Sequence, residues 1–336
     1  MNIELLKQLG NMDQIAGIRE SRLLHGRGAG VHLAEFYNAA GLRFSVVPDR
    51  CMDLYDCSYK GVNLSFHTKN GLVSPQSFTA LEGEFTQQWS GGMLVTCGLD
   101  NVGGHAEDGI IYPVHGRVSN IPAQTFGTKT FWEGDDYVLR ASGEMHQTRL
   151  YGHHLSLRRT VETSLHGKSI KIHDVITNFE AEDAPYVMLY HWNFGYPLLQ
   201  ADSRVQCSDA EILPVFADSV DPDQAAAPKD GAGEQGFWYI NRKEQACAVL
   251  YNERLELGAY IAYDTANLPR MYQWKNMKSH DYVMGLEPCN FTGLSREEAL
   301  SQGKMALIPA YSGIENKLEF GVLDGNTEIR EFLKNL

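Results

Sequence analysis

Short runs of alternating apolar and polar residues, separated by turn-forming residues, recur along almost the whole chain of 336 residues. A period of two is typical of half-buried β-strands, because successive side chains point to opposite faces of a sheet. Gly, Asn and Asp between the runs favour turns, and helical periodicity is confined to residues 3–9, 296–301 and 328–333. Many short strands without helical crossovers predict an all-β fold, a large antiparallel sandwich or barrel. The clearest runs are Leu42–Val47, Tyr137–Ala141, Leu155–Val161 and Ile170–Val175.

One polar segment, residues 218–236, interrupts this pattern with small residues and prolines. Such a segment is either a linker between two domains or a long surface loop within one. Strand-like runs resume directly after it, at residues 237–240 and 246–251, so we interpret it as a surface loop within a single domain spanning residues 1–336. Long loops on β scaffolds often line binding sites.

The net charge of −13 disfavours binding to nucleic acid or to an anionic membrane surface. The densest basic cluster is only Arg158 and Arg159 with Arg149 nearby. No apolar run reaches the ~20 residues of a transmembrane helix, and the first residues do not resemble a secretion signal. We therefore expect a cytoplasmic protein whose partner is a small molecule, with no nucleic acid and no membrane. The chain is also compatible with a homodimer.

The six cysteines are widely spaced and include no CxxC pair, which predicts buried thiols and no metal site. Common catalytic signatures are also missing. There is no P-loop, no HExxH and no G-x-S-x-G, and the glycines of residues 26–30 do not follow a strand and open a helix.

Three ionisable residues lie in apolar, strand-like surroundings, where such side chains are costly and therefore informative. His191 lies within an aromatic run, residues 187–198, and rings with a few polar groups are typical of sites for small polar ligands. Glu287 ends an apolar run before Pro288, where burial would raise its pKa as a general base requires. His115 precedes a glycine in a loop that could approach a ligand closely.

Each of these residues also has a purely structural interpretation. His191 could be a core histidine that hydrogen-bonds a carbonyl, Glu287 an exposed residue at a strand end, and His115 a structural loop residue. Arg50 and Asp53 are as compatible with a structural ion pair as with a ligand clamp. The candidate substrate-binding residues near these runs are Arg50, Asp53, Asn101, Arg117, Trp274 and Lys275.

Taken in order, these motifs resemble the aldose 1-epimerase (galactose mutarotase) superfamily, and in particular a poorly characterised branch of it. The early arginine matches Arg50, the His-Gly loop matches His115, the strand histidine matches His191, and the late glutamate matches Glu287. The resemblance covers roughly residues 17–320. It implies a large antiparallel β-sandwich, often called a supersandwich, that acts on a carbohydrate.

The resemblance further implies catalysis by acid and base without metal or organic cofactor. Glu287 would take the proton of the anomeric hydroxyl, while protonated His191 gives one to the ring oxygen, with His115 in support. Arg50 would anchor a hydroxyl or an anionic substituent. The aromatic residues and Asn after His191 stand in a changed order, and Asp264 is the candidate for the aspartate that holds a sugar hydroxyl in the family.

Two other functions remain open at this point. The chain could be a carbohydrate-binding module or sensor, although binding alone needs no acid–base pair. It could also be a sugar isomerase or lyase on the same scaffold, because one fold hosts several chemistries.

Overall fold

The computed structural model describes residues 3–107, 109–216 and 219–336. The described strands are β1 Gly17–Arg22, β2 His32–Tyr37, β3 Leu42–Val47, β4 Asp53–Tyr59, β5 Val62–Asn63, β6 Leu94–Leu99, β7 Ala106–Glu107, β8 Ile111–Tyr112, β9 Gly127–Glu133, β10 Asp136–Thr148, β11 His154–Ser164, β12 Ser169–Asn178, β13 Ala184–Phe194, β14 Arg204–Cys207, β15 Ala210–Pro214, β16 Glu234–Asn241, β17 Gln245–Asn252, β18 Leu257–Asp264, β19 Arg270–Lys278, β20 Asp281–Cys289, β21 Ala306–Ile308 and β22 Gly313–Asp324. The α-helices are α1 Ile3–Leu6, α2 Phe85–Gln88, α3 Arg296–Ser301 and α4 Asn326–Lys334, and the 3-10 helices are Met12–Gln14, Pro75–Ser77 and Val118–Asn120.

The strands form two large antiparallel sheets and one two-stranded sheet. The twelve-stranded sheet has the order β1-β2-β3-β4-β6-β13-β20-β19-β16-β15, with β5 beside β4 and β21 beside β13. The eight-stranded sheet has the order β14-β17-β18-β22-β12-β11-β10-β9, and β7 pairs with β8. The fold is therefore the β-sandwich that the sequence pattern predicted.

The main core lies between the two large sheets. Trp192 of β13 stacks on Phe320 of β22 with ring centroids 5.4 Å apart. Arg159 is fully buried there and donates to Asp174 and Asp53, while Tyr190 also donates to Asp174. Because a buried charge is tolerated only when it is paired, this network fixes how the sheets face each other.

The central strands of the twelve-stranded sheet are covered on both faces. β6 is buried throughout, and β13 is buried at every residue except Pro185. By contrast, β12 alternates buried and more accessible residues, as expected for a strand with one covered face. A second apolar cluster forms on the outer face of the central strands, away from the main core, and contains Val95, Cys97, Val102, Val187, Leu189 and Cys289.

The predicted strand runs all lie within observed strands, and Leu42–Val47 matches its strand at both ends. Residues 296–301 form α3 as predicted, whereas the helix expected at residues 3–9 ends at Leu6 and the one at 328–333 extends over Asn326–Lys334. Within the segment 218–236, Asp218 lies outside the described residues, and β16 begins at Glu234, earlier than expected.

All six cysteines are free. Four of them are buried as predicted, but Cys207 and Cys247 are only partly buried. Within the described ranges, no helix is both long and apolar enough to cross a membrane.

Candidate active site

His191 and Glu287 are directly opposite each other on neighbouring strands. The pairs Leu189↔Cys289 and Trp192↔Leu286 fix the antiparallel register of β13 and β20, and this register places residue 191 against residue 287. His191 Nε2 lies 3.2 Å from Glu287 Oε1. Both side chains are almost fully buried, with relative exposures of 5% for His191 and 1% for Glu287.

Strand alternation explains why these two side chains share the outer face of the sheet. Tyr190 and Trp192, on either side of His191, point into the main core, where Tyr190 binds Asp174 and Trp192 stacks on Phe320. His191 must therefore point away from the core. The almost continuous burial of this strand reflects a sheet that is covered on both faces.

His115 reaches the pair from a loop between β8 and the 3-10 helix Val118–Asn120. Its backbone has φ 60°, and its N–H donates to the Gly103 carbonyl. Its ring centroid lies 5.6 Å from that of His191 in an edge-to-face arrangement. Gly116 is essential to this turn, because it has φ 76° and a Cβ there would lie 2.1 Å from the Gly98 carbonyl oxygen.

These three residues line a cavity of about 450 Å³ on the outer face of the twelve-stranded sheet. Six aromatic side chains form most of its wall: Phe85, Trp89, Trp238, Tyr272, Trp274 and Phe291. Trp274 and Trp89 contact the His191 ring, with centroid distances of 5.5 Å and 5.4 Å. Such rings can stack on the C–H faces of a sugar, and a mostly apolar cavity with a few polar groups is typical of a site for a small molecule.

Burial determines the protonation of the site. It raises the pKa of Glu287 well above its ordinary value, and it lowers the pKa of His115 to about 4. Burial, followed by the proximity of His115, lowers the pKa of His191 well below its ordinary value. The favoured state of the site therefore has a protonated Glu287 carboxyl and two neutral imidazoles.

Three buried polar atoms of these residues lack hydrogen-bond partners. Glu287 Oε1 is close to His191 Nε2 but is not aligned for a hydrogen bond, and neither His115 Nδ1 nor His191 Nδ1 has a hydrogen-bond partner among the described residues. Buried polar groups are normally hydrogen-bonded, so unsatisfied ones in a cavity are suited to a ligand.

Of the predicted substrate-binding residues, the structure brings only Trp274 to this cavity. Arg50 is buried behind the wall, and its Nη1 donates to the Val73 carbonyl. Phe85 and Trp89 line both the main cavity and the small void beside Arg50. Arg50 therefore lines the small void and not the main cavity, and its role as an anchor for a substituent of the ligand stays a prediction.

Asp53 and Lys275 form hydrogen bonds within the protein interior and do not line the cavity. Asp53 accepts hydrogen bonds from Thr96 and Arg159, and burial raises its pKa to about 6. Lys275 follows Trp274 and so points to the opposite face, where its Nζ donates to the carbonyls of Val220 and Asp221.

Asn101 and Arg117 shape the loop that carries His115. The Asn101 amide donates to the carbonyls of Gly104 and Pro113, and Arg117 forms an ion pair with Asp100 at 3.0 Å. Asp264 lies in the other sheet, where it is exposed at the end of β18 and its carboxylate accepts a hydrogen bond from Ala266 N.

Several residues that line the cavity were not predicted from the sequence, among them Phe85, Trp89, Trp238, Tyr272, Phe291 and Glu234. A usable signal existed for Tyr272, because it stands two residues before Trp274 and would share its face if the two lay on one strand, as they do on β19. Across the described part of the chain, no group of three or more His, Cys, Asp and Glu side chains is arranged to hold a metal ion.

Comparison with solved structures identifies the class of fold. A putative aldose 1-epimerase from Klebsiella pneumoniae superposes with a TM-score of 0.88 at 22% identity, covering 97% of this chain and 89% of that one. A galactose mutarotase-like protein from Clostridium acetobutylicum gives a TM-score of 0.60 at 14% identity, with coverages of 93% and 99%. A galactose 1-epimerase from Lactobacillus acidophilus gives 0.58 at 10% identity, with coverages of 93% and 100%.

The chain thus has the galactose mutarotase-like fold that its motifs predicted. Its residues 28–322 match the family described as "Domain of unknown function (DUF4432)", and the chain belongs to that family. No curated protein matches the sequence.

Proposed function

We propose that this protein is an aldose 1-epimerase, an enzyme that interconverts the α and β anomers of a sugar. One observation carries the proposal: a carboxyl group and an imidazole lie 3.2 Å apart, both buried, in a cavity walled by aromatic rings. Mutarotation requires one acid and one base beside the hemiacetal, and this pair provides both.

The pair enters the reaction with a single transferable proton. Starting from the protonation that burial favours, Glu287 gives its proton to the ring oxygen while His191 accepts the proton of the anomeric hydroxyl. The bond between C1 and the ring oxygen breaks with its electron pair moving to the ring oxygen, and C1 becomes a carbonyl carbon. This starting assignment reverses the roles expected from the sequence.

Reclosure restores the enzyme. After rotation about the C1–C2 bond, the hydroxyl formed from the ring oxygen returns its proton to the Glu287 carboxylate, and its oxygen attacks the C1 carbonyl carbon. The carbonyl oxygen takes the proton from His191 and becomes the new anomeric hydroxyl. Each residue therefore acts as acid and as base in every cycle. His115 lies close enough to His191 to orient it or to contact the substrate.

The proposal is tested with freshly dissolved single anomers of several aldoses, followed by polarimetry and by NMR of the products. Wild-type protein should speed anomer equilibration, and Glu287→Gln should lose about 10²- to 10⁴-fold of that acceleration. Glu331→Gln, an exposed substitution on α4, should retain it. A wild-type rate equal to that of buffer for every sugar would exclude the proposal, and a product other than the second anomer would indicate an isomerase or a lyase.

A further inference from the structure

The cavity has a second polar end, away from Glu287, formed by Tyr272 and Glu234. Tyr272 is half-buried and Glu234 is exposed at the cavity mouth. Among the residues that the structure describes, neither the Tyr272 hydroxyl nor the Glu234 carboxylate has a hydrogen-bond or ion-pair partner. Burial raises the pKa of the Tyr272 phenol, and the nearby Glu287 and Glu234 raise it further whenever they are ionised, so this hydroxyl stays protonated and can donate.

Two glycines define where the two polar ends lie. Gly236 of β16 and Gly285 of β20 both pair with Trp274 of β19, one on each side. A Cβ at Gly236 would lie 2.1 Å from the Tyr272 hydroxyl oxygen, and a Cβ at Gly285 would lie 2.4 Å from Glu287 Oε1. The Tyr272 hydroxyl thus lies over Gly236, and the Glu287 carboxyl lies over Gly285.

The separation of the two ends limits the size of the ligand. Gly236 and Gly285 are two strand spacings apart, which is about 10 Å. Hydrogen bonds of about 2.8 Å at each end leave roughly the length of one sugar ring between the two bound oxygens. The Trp274 and Trp238 indoles line the space between the two polar ends. The Trp238 ring also contacts the Tyr272 ring, at a centroid distance of 4.8 Å.

The charge of the lining limits the chemistry of the ligand. No Lys or Arg is present among the described residues that line the cavity. The nearby cations are engaged elsewhere: Arg50 with the Val73 carbonyl, Lys275 with the carbonyls of Val220 and Asp221, and Arg117 with Asp100. The residues outside the described ranges (Met1, Asn2, Asp108, Ala217 and Asp218) include no Lys or Arg either. An anionic group beside Glu234 would meet repulsion without compensation.

We propose that Tyr272 and Glu234 form a distal subsite for the end of a single sugar ring remote from Glu287. That end presents hydrogen-bond donors, which are hydroxyl or protonated amino groups, and carries no anionic group. The inference rests on the proposed function only for the orientation of the sugar, since Glu287 is taken to act at the anomeric carbon. Tyr272 donates to a ligand oxygen, and Glu234 accepts from a ligand donor.

The first experiment measures binding of D-galactose and D-glucose by tryptophan fluorescence, alongside anomerisation kinetics. Tyr272→Phe and Glu234→Gln should each weaken sugar binding about three- to tenfold, the value of one or two hydrogen bonds to a ligand. KM should rise by a similar factor, with kcat changed less than about twofold, because the lost contact is equally present in ground and transition states. Tyr260→Phe and Glu331→Gln, on the other side of the molecule, should bind as wild type.

A second variant tests the hydrogen bond from the Tyr272 hydroxyl to the sugar without changing Tyr272 itself. Gly236→Ala keeps the tyrosine at position 272 but places a Cβ 2.1 Å from its hydroxyl oxygen, so the hydroxyl must move and the variant should reproduce the binding loss of Tyr272→Phe. Because the two changes act on one contact, combining them should add little further loss.

The charge of the subsite is tested with D-galactose 6-phosphate and 6-amino-6-deoxy-D-galactose, which carry their charge at the same carbon, away from C1. The phosphate ester should bind at least about fivefold more weakly than D-galactose at low salt, and the difference should shrink at high salt. The amino sugar in its protonated form should bind at least as tightly as D-galactose. Glu234→Lys should improve binding of the phosphate ester relative to D-galactose, whereas Glu331→Lys, with the same change in net charge, should not.

The outcomes separate this inference from the proposed function. Wild-type affinity in both Tyr272→Phe and Glu234→Gln, or a phosphate ester that binds as tightly as its parent sugar, would overturn the subsite. Sugar binding with the expected losses but no anomerisation would support the subsite and exclude the epimerase. Absence of binding by any of these sugars would overturn both.

Discussion

Glu287 combines its position in the candidate active site with a cost to folding. Because burial raises its pKa in the folded state above the ordinary 4.5 of the unfolded chain, its contribution to stability is most favourable below that value. This contribution is lost as pH rises from 4.5 through the raised, folded-state pKa. Glu287→Gln removes the titration, so it should raise the Tm relative to wild type at alkaline pH and have less effect at acid pH. Thermal denaturation across pH measures this, and an effect of the same size at every pH would contradict it.

The activity should show a pH optimum set by the two shifted groups. In the proposed mechanism, the free enzyme needs a protonated Glu287 and a neutral His191. As pH falls through the lowered pKa of His191, the base is lost, and as pH rises through the raised pKa of Glu287, the acid is lost. The acid limb of kcat/KM should therefore lie below the ordinary histidine value of 6.5. An acid limb at or above 6.5 would show that His191 is not the titrating base.

At the scale of single residues, the ionisable residues of the cavity could be predicted from the sequence, whereas most of the aromatic residues that line it could not. His191, Glu287 and His115 stand out because an ionisable residue in an apolar strand is rarely accidental. Arg50, Asp53 and Lys275 look similar by the same criterion, yet the structure places them behind the cavity wall or in the interior. Burial alone cannot say on which face of the sheet a side chain is buried, and both faces of these strands are covered.

The β13–β20 ladder explains how distant segments produce the acid–base pair. The two strands are about a hundred positions apart in the chain, and only their register places residue 191 against residue 287. A shift of one residue would turn either side chain into the main core. No local pattern contains this register, which is why the pairing could not be derived from the sequence.

Gly285 on β20 provides a test of how the Glu287 carboxyl is positioned against His191. A Cβ at this position would lie 2.4 Å from Glu287 Oε1, the mobile end of a side chain, while the backbone φ is not in the left-handed region. Gly285→Ala should therefore displace the carboxyl from His191 and reduce kcat about tenfold or more, because misplaced catalytic groups are inefficient. Stability should change by less than about 1 kcal/mol. Unchanged kcat would indicate that the carboxyl position observed here is not the working one.

Gly116 tests the loop that carries His115. Its positive φ and its contacts with backbone oxygens of Gly98 and Asn101 leave no room for a side chain. Gly116→Ala should lower the free energy of unfolding by about 1–3 kcal/mol, since both the strained conformation and the clash oppose it. Gly134→Ala, also at positive φ but with no atom near its Cβ position, is the control and should cost less in urea unfolding.

On the scale of the whole molecule, the buried Arg159 network joins the two sheets beneath the site. Removing one partner of such a pair leaves an uncompensated charge, so Asp174→Ala should destabilise the protein by about 3–5 kcal/mol. Glu162→Ala, which breaks the partly exposed pair with Arg140, should cost about 1 kcal/mol or less. Equal losses in urea unfolding would mean that the buried network is not what holds the sheets in place.

The overall architecture was the most predictable feature, because turn signals and alternation are local properties of the sequence. Strands such as Leu42–Val47 and the helix Arg296–Ser301 could be placed closely for this reason. The order of strands in the sheets, and hence the cavity on the outer face, depends on contacts between remote segments. The aromatic wall formed by Trp89, Trp238 and Phe291 comes from three such segments and left no local signature.

The most direct test of the central claim is the rate of anomer exchange at equilibrium, measured by exchange NMR on D-galactose with wild-type, Glu287→Gln and Glu331→Gln proteins. The account predicts exchange above the buffer rate with wild type and Glu331→Gln, and a loss of about 10²- to 10⁴-fold of the acceleration with folded Glu287→Gln. Acceleration that survives in Glu287→Gln would contradict the assignment of the buried carboxyl as the acid–base group.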